Sequence, residues 1–269
     1  MKAALGRVLA IAGSDSGGGA GVQADIKTIE ALGGYAATAI TAVTAQNTLG
    51  VQGIVGLSPD FIRLQIAAVL DDLGADAIKT GMLVDAATIE AVCVALAARP
   101  RPPLVLDPVM VAKGGARLLD PDAVAMLKRR LVPFATLLTP NLPEAEALTG
   151  LPIADPAAMK HAAEVLLTLG AGAVLLKGGH LPGEIVTDLL ATEEHGLLRL
   201  SGPRIATRHT HGTGCTLASA VATGLAQGMA LADAVRRAHR FVRAAIAAAP
   251  GFGAGHGPLG HAAVRANAL

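Results

Sequence analysis

Short apolar runs along this chain alternate with segments whose apolar residues recur at helical spacing. The run RVLAIAG, which starts at Arg7, is followed by AGVQADIKTIEALGG, which has helical spacing and ends in glycine. Similar apolar runs return in YAATAITAVTAQ, IVGLS, DAIKTG, PLVLDP, ATLLTP, AGAVLLKGG, EIVTDLLAT and GLLRLSG. Two further helices are predicted from about Thr213 and from about Leu231. Apolar strands separated by helices predict an α/β fold whose mostly parallel central sheet is covered by helices on both faces.

Nothing in the composition divides the chain into separate units. Its 269 residues are enough for one large α/β domain, and no Ser/Pro-rich linker or charge block interrupts them. We therefore expect a single domain over residues 1–269. Ligands of such sheets bind outside the carboxyl ends of the strands. The segments to search are GSDSGGGAG, QNT, KTGML, DPVMVAKGG, TPNLPEAE, KGGH and HGTGC.

The distribution of charge argues against nucleic acid and membranes as partners. The 22 basic and 21 acidic residues give a net charge of +1 and form no conspicuous blocks, so no nucleic-acid surface is expected. The stretch from Ala31 to Pro59 has no charged residue, but Gln46, Asn47 and several threonines and glycines interrupt it too often for a membrane span. We expect buried strands there.

The cysteines and the N-terminus indicate a reduced, cytoplasmic protein. Cys93 and Cys215 lie far apart and show no metal-ligand spacing, which gives no support to a disulfide framework. The N-terminal apolar run resembles a signal peptide, but Arg7 interrupts it and a glycine-rich turn follows, so we reject targeting.

The first glycine-rich loop matches two motifs incompletely. DSGG at Asp15 to Gly18 is similar to the nucleophile region of chymotrypsin-like proteases, which however needs two antiparallel barrels. GAGVQA at Gly19 to Ala24 fits the relaxed dinucleotide fingerprint, but the acidic residue expected roughly 20 positions later is missing. The phosphate-binding motif G-x-x-x-x-G-K-[ST] does not occur. The loop therefore favours none of these classes.

The segment HTHGTGCTLASA carries a glycine-rich turn onto the start of an alanine-rich helix. The backbone N–H groups of Gly212, Thr213 and Gly214 can point one way, which is the layout of an anion site. We expect the thiol of Cys215, which follows directly, to have a lowered pKa because a helix N-terminus favours the thiolate. It could be a nucleophile, a base or a packed side chain.

Eight segments together resemble the hydroxymethylpyrimidine and phosphomethylpyrimidine kinases, which are members of the ribokinase-like superfamily. They run in order from about Val8 to about Gly260 and are IAGSDSGGGAGVQADIKT, AVTAQNT, KTGMLV, LDPVMVAKGG, TPNLPEAEALTG, LLKGGH, THGTGCTLASA and GHGPLGH. The resemblance implies a three-layer ribokinase-like fold. It also implies ATP-dependent phosphorylation of 4-amino-5-hydroxymethyl-2-methylpyrimidine and then of its monophosphate, in thiamine biosynthesis.

The resemblance also implies which residues bind the pyrimidine. The side-chain amide of Gln46 offers an acceptor and a donor that match an aminopyrimidine edge, although a buried amide satisfied by backbone is the alternative. The implied pocket walls are Gly13, Ala20, Met82 and Val109. Asp25 would either orient the substrate or brace the loop. His209 and His211 suit structural hydrogen bonding better than catalysis.

The phosphoryl-transfer residues follow strand ends. Asp107 and Glu144 could hold Mg²⁺ directly or through water, but Asp107 could instead fix a loop and Glu144 could simply occupy a first helical turn. Lys177 ends a strand against two glycines and could reach a phosphate of ATP, with a surface lysine as the alternative. The ATP-binding set is completed by Thr213 and Gly214.

Catalysis is assigned by the resemblance to the turn 212–214 and to Cys215. Sugar kinases of the superfamily carry G-A-G-D here, with Asp as general base, whereas this chain has Gly-Thr-Gly-Cys. A general base contributes about 10²- to 10⁴-fold, so a thiol does not break the chemistry. Cys93 is expected to be a buried helix residue.

Two alternative functions stay open at this point: a pyridoxal kinase, and a non-catalytic pyrimidine-binding regulator. Pyridoxal also presents a hydroxymethyl group on a substituted aromatic ring. A homodimer is expected, although the sequence does not itself give the oligomeric state.

Overall fold

A central sheet runs through the protein, and a computed structural model describes residues 5–99, 102–112 and 115–264 of the chain. In these residues nine strands form one sheet. They are β1 (Arg7–Asp15), β2 (Tyr35–Asn47), β3 (Gly50–Gly56), β4 (Ala77–Thr80), β5 (Leu104–Leu106), β6 (Leu137–Leu138), β7 (Ala173–Leu176), β8 (Ile185–Thr192) and β9 (Gly196–Pro203). Strands from both ends of the chain thus share one sheet.

The sheet is mostly parallel, as predicted. Its order is β3-β2-β1-β4-β5-β6-β7-β8-β9. The five central pairings, from β2 to β7, are parallel, whereas β3 at one edge and β8 and β9 at the other pair antiparallel. All the parallel strands therefore present their carboxyl ends at the same edge, where ligands of such sheets bind.

Within the described ranges, eight α-helices cover the sheet. They are α1 (Gly21–Ala31), α2 (Pro59–Asp72), α3 (Ala86–Ala97), α4 (Pro121–Met126), α5 (Leu142–Thr149), α6 (Pro156–Leu167), α7 (Thr213–Ala226) and α8 (Leu231–Ala247). Ser58, Asp85, Asn141 and Asp155 cap the N-termini of α2, α3, α5 and α6 with their side chains. None of the helices in the described ranges is long and apolar enough to cross a membrane.

Two hydrophobic cores lie on opposite faces of the sheet. One packs α2 to α6 against strand residues such as Leu104 and Leu106, and the other packs α1, α7 and α8 against residues such as Val105. Alternate residues of one strand serve the two cores because successive side chains point to opposite faces. This confirms the three-layer fold with helices on both faces.

Two local expectations were wrong. The uncharged stretch after Ala31 was predicted to form buried strands, but β3 is largely exposed because it is an edge strand. The helical spacing of PDAVAMLKRRLV, residues 121–132, predicts one helix, but α4 ends at Met126 and continues as a π-helical turn over Leu127–Leu131 and a 3-10 turn over Val132–Phe134. Pro133 lacks an N–H donor, so the regular hydrogen-bond pattern of an α-helix cannot continue through it.

Candidate active site

The carboxyl edge of the sheet brings together a lysine and two carboxylates. Lys177 Nζ lies 3.0 Å from Asp107 Oδ1 and 3.9 Å from Glu144 Oε2. Lys177 follows β7, Asp107 follows β5, and Glu144 lies in the first turn of α5 beyond β6. Parallel strands with a common direction explain why residues 70 positions apart meet here. The lysine is therefore not a surface side chain.

Glu144 has two roles in the structure. Its carboxylate accepts the N–H of Asn141 while the Asn141 side chain accepts the N–H of Glu144, which forms a reciprocal cap of α5. Burial raises the pKa of Glu144 to about 7 and Asp107 adds to this, although Lys177 opposes it. Glu144 therefore occupies the first turn of α5 as a cap, which was one of the two alternatives, and it also lies beside Lys177.

Asp107 and Lys177 are held as a buried pair. Asp107 is 2% exposed, and its Oδ1 also lies 3.3 Å from Thr139 Oγ1. Burial alone would lower the pKa of Lys177, but Asp107 and Glu144 outweigh it and raise that pKa above its usual value. The lysine is thus fully charged at neutral pH.

The glycine-rich turn before α7 meets this pair. Gly212 adopts a left-handed conformation with φ of 84° as the N-cap of α7, and no side chain caps the helix. A Cβ at Gly214 would lie 3.2 Å from Lys177 Nζ and 3.4 Å from Asp107 Oδ2. The uncapped N–H groups of α7 and the Lys177 ammonium therefore lie at the same place, which is a favourable arrangement for an anion.

The expected low pKa of Cys215 was wrong. Burial raises the pKa of the Cys215 thiol to about 11, and Asp25 and Asp107 raise it further, against the opposing effects of Lys79 and the backbone N–H of Gly21. Desolvation of a thiolate among carboxylates outweighs the helix N-terminus. In the protein without ligands the thiol is therefore protonated at neutral pH. Cys93 is buried in α3 with a pKa likewise raised to about 11, mainly by burial.

The residues predicted for the pyrimidine lie at the β1, β2 and β4 end of this edge. A Cβ on Gly13 would lie 3.1 Å from Met82 Sδ, so these two are neighbours. Gln46 is the last residue but one of β2, its Oε1 accepts from Thr44 Oγ1 at 3.0 Å, and it is only partly buried. Ala20 is the N-cap of α1.

Val109 lies in the loop after β5, where its N–H donates to the Asp107 carbonyl. The predicted motif DPVMVAKGG contains this loop, and its Lys113 and Gly114 lie outside the described residues.

Asp25 has no free carboxylate oxygen for a substrate. It is 0% exposed, its two oxygens lie 2.8 and 2.9 Å from Lys79 Nζ, and Oδ1 also accepts from Ser219 Oγ at 2.7 Å. These contacts favour the bracing alternative considered for Asp25. Lys79 was not singled out from the sequence, although a lysine in the apolar run DAIKTG was a visible signal.

Asp15 and His211 form a second pair that sequence reasoning did not assign. His211 Nε2 lies 2.9 Å from Asp15 Oδ2 and 3.4 Å from Gln46 Nε2. The Asp15 carboxylate also accepts the N–H groups of Gly17, Gly19 and Ala20. Burial alone would raise the pKa of Asp15, but His211 and the N–H groups of Ala20 and Gly17 together lower it.

The glycine-rich loop is therefore anchored on the aspartate of DSGG, and the expected structural role of His211 agrees with this. The signal for it was an aspartate at a strand end followed by glycines, the pattern of a side chain that binds its own loop.

The C-terminal motif GHGPLGH packs against the same edge. The N–H of His211 donates to the Gly257 carbonyl, and His261 Nε2 lies 2.8 Å from Thr216 Oγ1 in the first turns of α7. Burial lowers the pKa of His261 to about 4, so this imidazole is neutral at pH 7. The tail thus supports the N-terminal end of α7.

Comparisons with known proteins agree on a family. The phosphomethylpyrimidine kinase family model matches residues 15–260. A hydroxymethylpyrimidine/phosphomethylpyrimidine kinase of Bacillus subtilis is 48% identical over 98% of this chain and 97% of its own length. A thiamine biosynthesis bifunctional protein of Geobacter sulfurreducens is 54% identical over 95% of this chain, which spans about half (52%) of that protein.

Solved structures show the same fold. Bacillus subtilis pyridoxal kinase in complex with ADP superposes with a TM-score of 0.90 at 37% identity, covering 97% of this chain and 98% of that one. A phosphomethylpyrimidine kinase of Clostridium difficile 630 gives a TM-score of 0.78 at 40% identity, covering 88% and 98%. The matched family model spans nearly all of the residues that build the site, from Asp15 to the C-terminal motif, and the chain belongs to the phosphomethylpyrimidine kinase family.

Proposed function

We propose that this chain transfers the γ-phosphoryl group of ATP to 4-amino-5-hydroxymethyl-2-methylpyrimidine and then to its monophosphate, giving the pyrophosphate used in thiamine biosynthesis. The observation that carries the proposal is the meeting of Lys177, Asp107 and the uncapped turn of α7 at one edge of the sheet. Phosphoryl transfer needs a positioned cation and N–H donors around the moving group, and this cluster supplies both.

In the proposed mechanism the phosphates of ATP lie at the start of α7. The N–H group of Gly214 and that of Thr213, which in this structure donates to the Thr210 carbonyl at 3.4 Å, donate to the phosphoryl oxygens, and the Lys177 ammonium neutralises part of their charge. Gly214 has no side chain, which leaves the approach between Lys177 and the helix open. The turn 212–214 then stabilises the charge that is spread over the transferred group.

Asp107 and Glu144 are the residues that would hold Mg²⁺, directly or through water. Both are oxygen donors beside Lys177, and Mg²⁺ is typically bound by one or two carboxylates together with substrate phosphates. The described residues contain no cluster of three or more acidic, histidine or cysteine side chains that could hold a metal alone. The donor set therefore fits an ion shared with the nucleotide, which would neutralise part of the negative charge on the transferred phosphoryl group.

For the alcohol, Gln46 is the proposed reader of the aminopyrimidine edge. Its Oε1 is occupied by Thr44, and its Nε2 faces His211 at 3.4 Å, so the amide is held in place before a ligand binds. Gly13, Met82, Ala20 and Val109 form the proposed walls. The absence of a side chain at Gly13 lets a flat ring lie close to the backbone.

Cys215 is the proposed acceptor of the hydroxymethyl proton. We expect it to contribute only a small part of the rate enhancement of phosphoryl transfer. Because burial raises the pKa of this thiol to about 11, only a small thiolate fraction can accept that proton at neutral pH, which limits the contribution of Cys215. Phosphoryl transfer with a loose transition state asks little of the base, so the N–H groups and Lys177 carry most of the catalysis.

A coupled turnover assay tests the function. Purified protein is given ATP and, separately, the hydroxymethylpyrimidine, its monophosphate and pyridoxal, since the fold is shared with pyridoxal kinases. We expect turnover with both pyrimidines and its loss in Lys177→Met. Lys160→Met, which changes an exposed lysine paired with Glu164, is the matched control and should leave turnover unchanged. Turnover with pyridoxal alone would contradict the proposal.

We further propose that the protein is a homodimer joined through the outer face of β2 and β3. This edge pair carries no charged residue, although edge strands are usually protected by charges, and on one face it exposes Val43 and Val55, which pair across the two strands. A second copy of the same face would cover these side chains and the unpaired edge of β3. A cytoplasmic location remains an expectation that the two unpaired cysteines support.

A further inference from the structure

A buried ion pair that the proposed mechanism does not use lies under the start of α7. Lys79 and Asp25 are both 0% exposed, and the ammonium contacts both carboxylate oxygens, at 2.8 and 2.9 Å. The hydroxyl of Ser219 donates to the same carboxylate at 2.7 Å. The pair therefore connects β4, α1 and α7, three elements that all end or begin at the candidate site.

The geometry of α7 places this connection beside Cys215. Ser219 is four residues after Cys215, and residues at this spacing lie on the same face of a helix. On the sheet side, a Cβ at Gly81 would lie 2.9 Å from Lys79 Nζ, so the ammonium lies level with the carboxyl end of β4. The charge is thus beneath the turn that carries the reactive groups rather than deep in the core.

Fold stability alone does not account for the pair. Replacing a buried ion pair by apolar residues of similar volume is often neutral or stabilising, because both charges must be desolvated. The charged groups that act on the Cys215 thiol include Lys79 from β4, Asp25 from α1, Asp107 after β5 and Lys177 after β7. Lys79 and Lys177 favour the thiolate and oppose the effect of burial, and Lys79 is the one that the proposed phosphate contacts do not use.

We propose that Lys79 is a positioning residue for the phosphoryl-transfer site, which holds the first turns of α7 against the sheet through Asp25 and Ser219 and keeps a positive charge next to the Cys215 thiol. The role of Lys79 in catalysis rests on the proposed function. The effect of Lys79 on the Cys215 thiol does not rest on it, because that effect exists without substrate.

The effect of the Lys79 charge on the Cys215 thiol is tested by the rate at which iodoacetamide alkylates Cys215 at pH 8. Peptide mass spectrometry measures this rate. Lys79→Met leaves the negative Asp25 and should slow alkylation, whereas Asp25→Asn leaves the positive Lys79 and should accelerate it, each by roughly threefold to tenfold. Both variants break the same buried pair, so a loosened fold would accelerate both. The rate at Cys93 in the same digest reports such loosening. The proposal requires Cys215 to be alkylated more slowly in Lys79→Met than in the parent, and faster in Asp25→Asn than in the parent. Any other order of the three rates overturns it.

The proposed role in holding the first turns of α7 against the sheet is tested by substitutions in α7. Ser219→Ala removes the hydrogen bond to Asp25 and leaves the ion pair intact, so kcat should fall by roughly tenfold with the KM for ATP and the melting temperature little changed. Thr223→Val is the matched control, because its buried hydroxyl donates to the Ser219 carbonyl within the same helix. Equal kcat values for the two variants would overturn this part. Absence of turnover in every variant and in the parent would instead contradict the proposed function, while the alkylation result would still stand.

Discussion

A single amide, that of Gln46, is the proposed determinant of pyrimidine binding. Gln46→Ala should weaken binding of the pyrimidine by roughly 1 to 3 kcal/mol, because polar groups of the ligand are left unpaired, and should leave ATP binding nearly unchanged. Gln52→Ala, which removes another amide near the end of the β2–β3 turn, is the control. Calorimetry with each ligand measures both affinities. Equal losses for both ligands would mean that Gln46 is structural.

Glu144 should make stability depend on pH in a direction opposite to that of a typical ion-paired carboxylate. Its folded pKa of about 7 lies above the ordinary value of 4.5, so between these pH values the folded state holds a proton that the unfolded state has lost. Stability should therefore decrease as pH rises from about 4.5 to 7, by on the order of 1 kcal/mol per pKa unit, and level off above.

Glu144→Gln keeps a side-chain acceptor for the cap of α5 and cannot ionise, so its melting temperature should lack this decrease. Thermal melts of parent and variant across pH 4 to 8 measure the difference. Glu146→Gln, a change on the same helix at a carboxylate that accepts from Ile153, is the control. Parallel curves for the parent and Glu144→Gln would contradict the prediction.

Individual site residues could be picked out from the sequence because they follow strands. The contacts between their side chains could not be predicted. Lys177, Asp107 and Glu144 could be picked out because each follows a strand of the predicted sheet. The sequence rule for Cys215 failed because it considers the helix N-terminus and ignores the cost of burial. Lys79 was missed because its partner Asp25 lies 54 residues away, and only the folded chain brings the two together.

The N-terminus of α7 is the element on which the proposed chemistry depends. Gly214→Ala should stabilise or barely change the fold, because alanine is a better helix former than glycine. The added Cβ would lie 3.2 Å from Lys177 Nζ and 3.4 Å from Asp107 Oδ2, so the ammonium must move. We expect kcat to fall by roughly tenfold or more while the melting temperature is maintained. An unchanged kcat would show that this approach is not used.

Helices were predicted more reliably than the environment of strands. The predicted starts of α7 at Thr213 and of α8 at Leu231 are confirmed. These starts could be predicted because apolar spacing and nearby glycines mark them in the sequence. The exposure of β3 was not foreseen, because an uncharged apolar strand fits a buried position and an unprotected edge equally well. Strand order decides between these, and it is a property of the whole sheet.

At the scale of the whole molecule, the uncharged edge formed by β2 and β3 should control assembly. Val55 is 67% exposed on β3, and Val55→Lys places a charge on the face that we propose as the dimer interface. We expect a dimeric parent and a monomeric variant in sedimentation experiments. Val94→Lys, which alters a 45% exposed valine of α3, is the control and should stay dimeric. A monomeric parent would contradict the proposal.

The pair of Lys79 and Asp25 also constrains how sequences of this fold can diverge. Losing either partner leaves the other charge buried and unpaired, at a cost of about 3 to 5 kcal/mol. A typical domain is stable by only about 5 to 15 kcal/mol. A lineage that changes one of them first must therefore pass through an intermediate with little stability left. We expect positions 79 and 25 to be exchanged together or retained together in related kinases, and a relative that keeps one without the other should carry a compensating charge nearby.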